Sequence, residues 1–336
     1  MKARLILLLI LTVTILSSCT FQHGFINDGP LVTTKEEQTS EPTQTTETTT
    51  VPITTQPITT TTEAAPSENK VDLSEVLAQS SFVYDVTKGE LLAACGYDNL
   101  INPASITKLL TIQYALTLAP EDLEITPHSD ELAMVGEGSS VAYVKTNHRL
   151  TVAQLIKGMM LPSGNDAAYV LAAGVVRYAN NDPDMSAEDA IRLFVNGMNE
   201  YAKGLGCTNT RFTVPDGLAE DEHYTSIHDL VIIGKNALNC KLITDYSKIV
   251  SENVKYASGH TITWNNTNRL IDPEDKYYSP YVTGLKTGSL TDNYCLYISA
   301  EINGSTYLIG IFTSPTKTSR YEDAHIIINS ILALND

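Results

Sequence analysis

The sequence predicts an α/β chain of the α+β type, in which an antiparallel sheet is built from both ends of one folded domain and flanked by helices. Two observations carry this. Strand-like pairs of segments lie near residues 81–94 and 295–312, far apart in the chain, and the long intervening stretch is dominated by helical periodicity. A helical segment after the second strand pair supplies a cover for the sheet.

Taken in order, Ser81 to Asp85 and Glu90 to Ala94 flank Lys88-Gly89 and form a hairpin, two apolar runs joined across a turn dipeptide. The run after Pro103 (Leu109, Leu110, Ile112, Ala115, Leu116) has helical character. Thr151 and Gln154 make a capping box ahead of Leu155, Met159 and Met160. Ser186 and Asp189 do the same ahead of Ile191, Phe194, Val195, Met198, Ala202 and Leu205. Pro162 and Gly164 break the helix ending near Leu161 from one starting near Asp166. Tyr281-Val282-Thr283 is β-compatible. Cys295 to Ile302 and Thr306 to Phe312 are joined across Asn303-Gly304, the strongest short hairpin signal. Ser319 and Glu322 are expected to open a last helix holding Ile326, Ile327, Ile328 and Ile331.

What precedes this domain has a different composition. Met1 to Ser18 reads as a short basic region (Lys2, Arg4) and an apolar run of about 12 residues, the length of a secretory signal and short of the about 20 needed to span a bilayer. Leu16-Ser17-Ser18-Cys19 resembles the lipobox of bacterial lipoproteins, so Cys19 is the expected lipid anchor; the alternative is an ordinary signal peptide, and either exports the chain. Residues 19–69 are Thr-rich with Pro42, Pro52 and Pro57 and little apolar surface, which predicts a solvated linker with a reach of about 40 Å. The catalytic unit is expected over residues 70–336. A formal charge of -17 opposes a phosphate backbone, so no nucleic-acid partner is expected.

Three short motifs carry chemistry. Ser105 and Lys108 in Pro103-Ala104-Ser105-Ile106-Thr107-Lys108 stand three apart, so on a helix the hydroxyl lies beside the amine. A serine needs a base to become a nucleophile, and a desolvated lysine can be that base. Ser163-Gly164-Asn165 offers a hydroxyl and a carboxamide on a tight loop. Lys286-Thr287-Gly288, followed by Ser289, offers an ammonium and a hydroxyl on a strand, with a small residue that lets another backbone approach. The seven histidines form no H-x-x-x-H or H-x-x-E-H pattern, so no metal or other cofactor is assigned, and His223 and His228 are read as structural or surface residues. Cys95, Cys207, Cys240 and Cys295 are read as small hydrophobes, with any pairing left open.

In this order S-x-x-K, S-x-N and K-T-G resemble the penicillin-interactive serine enzymes. The longer strings Pro103 to Thr111, Leu161 to Ala168 and Gly284 to Gly288, with Asp216-Gly217-Leu218 and Asn266-Thr267-Asn268, resemble the D-alanyl-D-alanine carboxypeptidases, the low-molecular-mass penicillin-binding proteins. The resemblance covers about residues 74 to 334. It implies a β-lactamase/transpeptidase-like fold with a helical subdomain carrying Ser163. Ser105 would be acylated and Lys108 would be its base, Ser163 would relay protons with Lys108, and Asn165 would hold the substrate amide. Lys286 and Thr287 would bind the terminal carboxylate, Lys286 would lower the Lys108 pKa, and the Ser105 and Ser289 amides would form an oxyanion hole. Implied partners are peptidoglycan stem peptides, β-lactam antibiotics and, through Cys19, the bacterial membrane. A β-lactamase is the nearest rival, but between Ser163 and Lys286 there is no E-x-x-L-N string to supply a deacylation base. Ser289 and the following Leu290-Thr291-Asp292-Asn293-Tyr294 depart from the family, which often has an aromatic or histidine after K-T-G. Many members also continue into a β-rich domain with a membrane-binding tail, so in this chain anchoring is expected at the N-terminus.

Overall fold

A computed structural model of the chain describes residues 65–218 and 221–334. The signal segment, Cys19 and nearly all of the linker lie outside the described residues. The first hairpin forms as expected, with strands β1 (Ser80–Asp85) and β2 (Glu90–Cys95). A 3₁₀ turn (Ala104–Thr107) then runs directly into α1 (Lys108–Leu118), whose Leu109, Leu110, Ile112 and Ala115 are all buried, the signature of a central helix. Short β3 (Glu124–Ile125) and α2 (Ser129–Ala133) follow, then β4 (Leu150–Thr151), which pairs with β3.

Helix α3 (Val152–Met160) starts at the predicted capping box: Thr151 Oγ1 accepts the Gln154 N–H, and the Gln154 side chain accepts the Thr151 N–H. Helix α4 (Asn165–Ala179) is buried along almost its whole length and packs on α1, α3 and α5 (Ala187–Leu205). Ser186 caps α5 through the Asp189 amide. Two further helices, α6 (Ile227–Leu238) and α7 (Lys241–Ser247), precede a two-stranded ribbon of β5 (Ser251–Lys255) and β6 (Thr261–Asn265). The chain closes with β7 (Val282–Leu290), β8 (Asn293–Ile302), β9 (Ser305–Ser314) and α8 (Ser319–Ala333).

The main sheet has the order β2-β1-β9-β8-β7, and all its pairings are antiparallel. The first and last strand pairs thus join in one sheet, with β1 against β9 from Ser80↔Phe312 to Asp85↔Tyr307. At the β8–β9 turn both Asn303 (φ 51°) and Gly304 (φ 81°) are left-handed, as the two-residue hairpin requires. Two apolar clusters result. The larger joins α1, α3, α4 and α5 to one sheet face through Phe82, Tyr297 and Phe312; the other packs Ile327, Ile328 and Ile331 of α8 on Val83, Ile298 and Ile309.

One capping expectation fails. Ser319 is the first residue of α8 rather than its cap, and its hydroxyl bonds back to the Thr316 carbonyl instead of forming a box with Glu322. Cys95, Cys207, Cys240 and Cys295 are free; Cys207 and Cys295 are buried as expected of small hydrophobes, whereas Cys95 is exposed.

Candidate active site

Three elements converge at one end of the helical layer, against the free edge of the sheet. The 3₁₀ turn presents Ser105, the α3–α4 break presents Ser163 and Asn165, and edge strand β7 presents Lys286, Thr287 and Gly288. All of the folded-domain residues named from the sequence therefore meet here; Ser289, next on the same strand, is exposed, with its Oγ held by Arg320.

Lys108, at the first turn of α1, is completely buried. Its Nζ lies 2.7 Å from Asn165 Oδ1, 2.7 Å from the Asp216 carbonyl and 2.9 Å from Ser105 Oγ. The first two partners are carbonyl oxygens and can only accept, so they take two N–H groups. The third position, which is a lone pair when the amine is neutral, faces the serine hydroxyl. Burial lowers the Lys108 pKa to about 8, while the carboxylates of Asp216 and Asp166 pull it upward. Burial, not Lys286, is thus the leading cause of the shift. The ammonium repulsion expected from the pair weighs on Lys286, which burial first, then Lys108 and Arg320, hold well below the lysine range.

Ser163 differs from expectation in its partner. Its Oγ accepts from Lys286 Nζ at 2.8 Å, so the amine it meets is that of Lys286 rather than Lys108. It sits with a left-handed backbone (φ 63°), uncommon for a residue with a Cβ. Asn165 uses its carbonyl oxygen on Lys108, which leaves its amide N–H groups for another partner. Next to it, Asp166 accepts the amides of Ala142 (2.7 Å), Val144 (2.8 Å) and Ala167 (2.8 Å), binding the loop before β4 to the start of α4.

On β7, Thr287 Oγ1 lies 2.6 Å from Thr267 Oγ1. Gly288 backs onto the nucleophile turn: a Cβ there would stand 2.8 Å from the Pro103 carbonyl and 3.0 Å from Ala104 Cβ. Buried Arg320 of α8 donates to the Gly288 carbonyl (2.7 Å), the Cys295 carbonyl (3.0 Å) and Ser289 Oγ (3.1 Å), fixing the strand from behind.

Sequence reasoning gave no role to Arg320, Asp166, Thr267 or the Asp216 carbonyl. Asp216 and Thr267 lie within strings already singled out by resemblance, and Asp166 directly follows Ser163-Gly164-Asn165. Arg320 had no local signal, because its contact spans 32 residues of chain.

A serine on a helix start, a buried lysine at hydrogen-bond distance and a second lysine on an adjoining sheet edge form a constellation suited to nucleophilic serine chemistry. A family profile described as D-alanyl-D-alanine carboxypeptidase matches residues 60–314, and the chain belongs to that family. It is 30% identical over 247 residues to D-alanyl-D-alanine carboxypeptidase DacF of Bacillus subtilis (strain 168), covering 72% of this chain and 59% of that protein. It is 29% identical over 270 residues to the D-alanyl-D-alanine carboxypeptidase of Streptomyces strain K15, covering 77% of this chain and 88% of that protein. The crystal structure of the Streptomyces K15 DD-transpeptidase superposes with a TM-score of 0.68 at 26% identity, over 80% of this chain and 99% of that one. The chain spans 59% and 57% of the lengths of DacF and of Haemophilus influenzae DacA.

Proposed function

We propose that the chain is a serine-type D-alanyl-D-alanine carboxypeptidase that removes the terminal D-Ala from peptidoglycan stem pentapeptides through an acyl-enzyme on Ser105, and that it binds penicillins at the same serine. The observation that carries this is the Lys108 amine, fully buried, with two N–H groups committed to carbonyl oxygens and its third position 2.9 Å from Ser105 Oγ.

Neutral Lys108 takes the Ser105 proton as Oγ attacks the carbonyl carbon between the two D-Ala residues. The tetrahedral oxyanion is met by the Ser105 and Ser289 amides. The C–N bond then breaks, a proton passes to the leaving amine, and free D-Ala departs, leaving an ester on Ser105. Water adds to that ester, giving up a proton to the base, and the shortened peptide leaves as a carboxylic acid. Thr287 and Lys286 bind the terminal carboxylate, Asn165 offers its amide to the stem backbone, and the free edge of β7 can take the stem as an added strand. Ser163, hydrogen-bonded to Lys286, links the carboxylate side of the cleft to the proton traffic.

The proposal extends to the rest of the chain: residues 1–18 as an export signal, Cys19 as the lipid anchor at the outer face of a bacterial membrane, residues 19–69 as linker and residues 70–336 as catalytic domain. In support of that last boundary, the Lys70 amide donates to the Leu92 carbonyl at 2.8 Å and Val71 is fully buried. Incubation with a stem pentapeptide and mass analysis should show loss of one alanine; an untouched peptide would contradict the activity.

A further inference from the structure

We propose that His223 is a positioning residue for the oxyanion side of the site: acting through Thr107, it fixes the peptide unit that joins Ala104 to Ser105 and so aims the Ser105 N–H. The inference rests on the function proposed above and names a device that serves it.

The relay is readable atom by atom. The Thr213 backbone N–H lies 3.0 Å from His223 Nδ1, and a backbone amide can only donate, so Nδ1 carries no proton. The ring proton is therefore on Nε2, 2.8 Å from Thr107 Oγ1. Having received that bond, the Thr107 hydroxyl donates its own proton to the Ala104 carbonyl, 2.8 Å away. His223 and Thr107 are 2% and 1% exposed, and the imidazole stacks on Phe212 with centroids 4.8 Å apart, so water cannot substitute for either partner. Burial, with Lys108 nearby, pushes the His223 pKa down to about 4, which keeps this tautomer in place at neutral pH.

The end of the relay gives it a functional meaning. In a trans peptide the carbonyl and the following N–H point in opposite directions within one plane. Pinning the Ala104 carbonyl inward therefore points the Ser105 N–H outward, to the cleft. Ala104 holds a left-handed backbone (φ 51°), a conformation that residues with a Cβ adopt only when their surroundings enforce it. Gly217, six residues before His223, packs closely against the same carbonyl. Gly217 has φ 82° and approaches so closely that a Cβ on it would stand 2.0 Å from Ala104 O.

The test compares Thr107→Val, Thr107→Ser, His223→Phe and His223→Gln with the wild type. For each, the acylation rate constant and the non-covalent dissociation constant for a chromogenic cephalosporin are measured, together with affinity for an arylboronic acid, whose tetrahedral adduct on Ser105 places an oxygen where the oxyanion forms. Thr107→Val and His223→Phe should slow acylation about tenfold or more and weaken the boronate in parallel, with the cephalosporin dissociation constant changed less than about twofold. Thr107→Ser keeps the hydroxyl and His223→Gln keeps an N–H near Nε2, so both should recover most of the loss. Unchanged rates in the valine and phenylalanine variants would overturn the relay, as would losses confined to the dissociation constant or a glutamine variant as slow as the phenylalanine one. Should one residue's variants fail to fold, the other residue's pair decides by the same measurements. A wild type that forms no adduct on Ser105 would instead overturn the function on which the relay rests.

Discussion

At the scale of single residues, the proposed reaction makes Ser105 and Lys108 one unit, because each would be inert in its role without the other. Ser105→Ala removes the attacking oxygen and should abolish penicillin labelling with the fold intact. Lys108→Ala should suppress acylation nearly as fully, since such paired effects do not add. Lys286→Ala should lower acylation without abolishing it. Intact-protein mass after penicillin treatment, with mapping of the adduct peptide, checks all three; an adduct persisting in Ser105→Ala would contradict the assignment. The pH profile follows from burial. With the Lys108 pKa near 8, the neutral base is the minor form at pH 7, so the acylation rate should rise with pH and level off above about 8. A rate flat from pH 6 to 9 in stopped-flow measurements would contradict this. Folding lowers the affinity of Lys108 for its proton, so its contribution to stability should grow as pH rises from about 8 towards the ordinary lysine value of 10.5.

Among the elements, the junction of α3 and α4 shows how position is enforced. Asp166 stitches the loop at Ala142 and Val144 to the head of α4, one residue from Asn165. Asp166→Ala would leave buried amides unpaired, at about 1–3 kcal/mol, and should lower the melting temperature while slowing acylation by displacing Asn165. Calorimetry and acylation kinetics on the same sample test this; an unchanged melting temperature would refute it. The elements that could be read from the sequence were those with local grammar: the Thr151 and Ser186 caps, the Asn303-Gly304 turn and both hairpins. Helix α6 was missed although Ser226 caps it through the Asp229 amide, a serine-x-x-aspartate signal of the same kind. The ribbon β5–β6 was missed because its alternation is largely polar, with Val254 and Trp264 its buried residues. In the candidate site, motif spacing picked out residues that the fold brings together but not their pairings. That Ser163 meets Lys286 rather than Lys108 depends on how two distant segments are set against each other, which no local pattern encodes.

For the whole molecule, two predictions test the proposed division into leader, linker and folded unit. A protein starting near Lys70 should unfold in one cooperative transition and keep its acylation rate, because the preceding segment has too little apolar surface to join a core. An aggregated or inactive product would move the boundary. Cys19→Ala should release the protein from membranes in fractionated cells, and retention at the wild-type level after signal cleavage would refute the lipid anchor.

The pairing of β1 with β9 also governs when the molecule can exist. Ser80 finds Phe312 roughly 230 residues later, so the first hairpin emerges during synthesis with an open edge and no sheet to join. Contacts of such long range form slowly, since the intervening loop must close before they stabilise anything. The sheet that carries Lys286 cannot assemble around a partial chain. If the chain is exported as proposed, threading it linearly through a secretion pore would leave this sheet unformed until nearly all of it had passed, a delay that strand order sets.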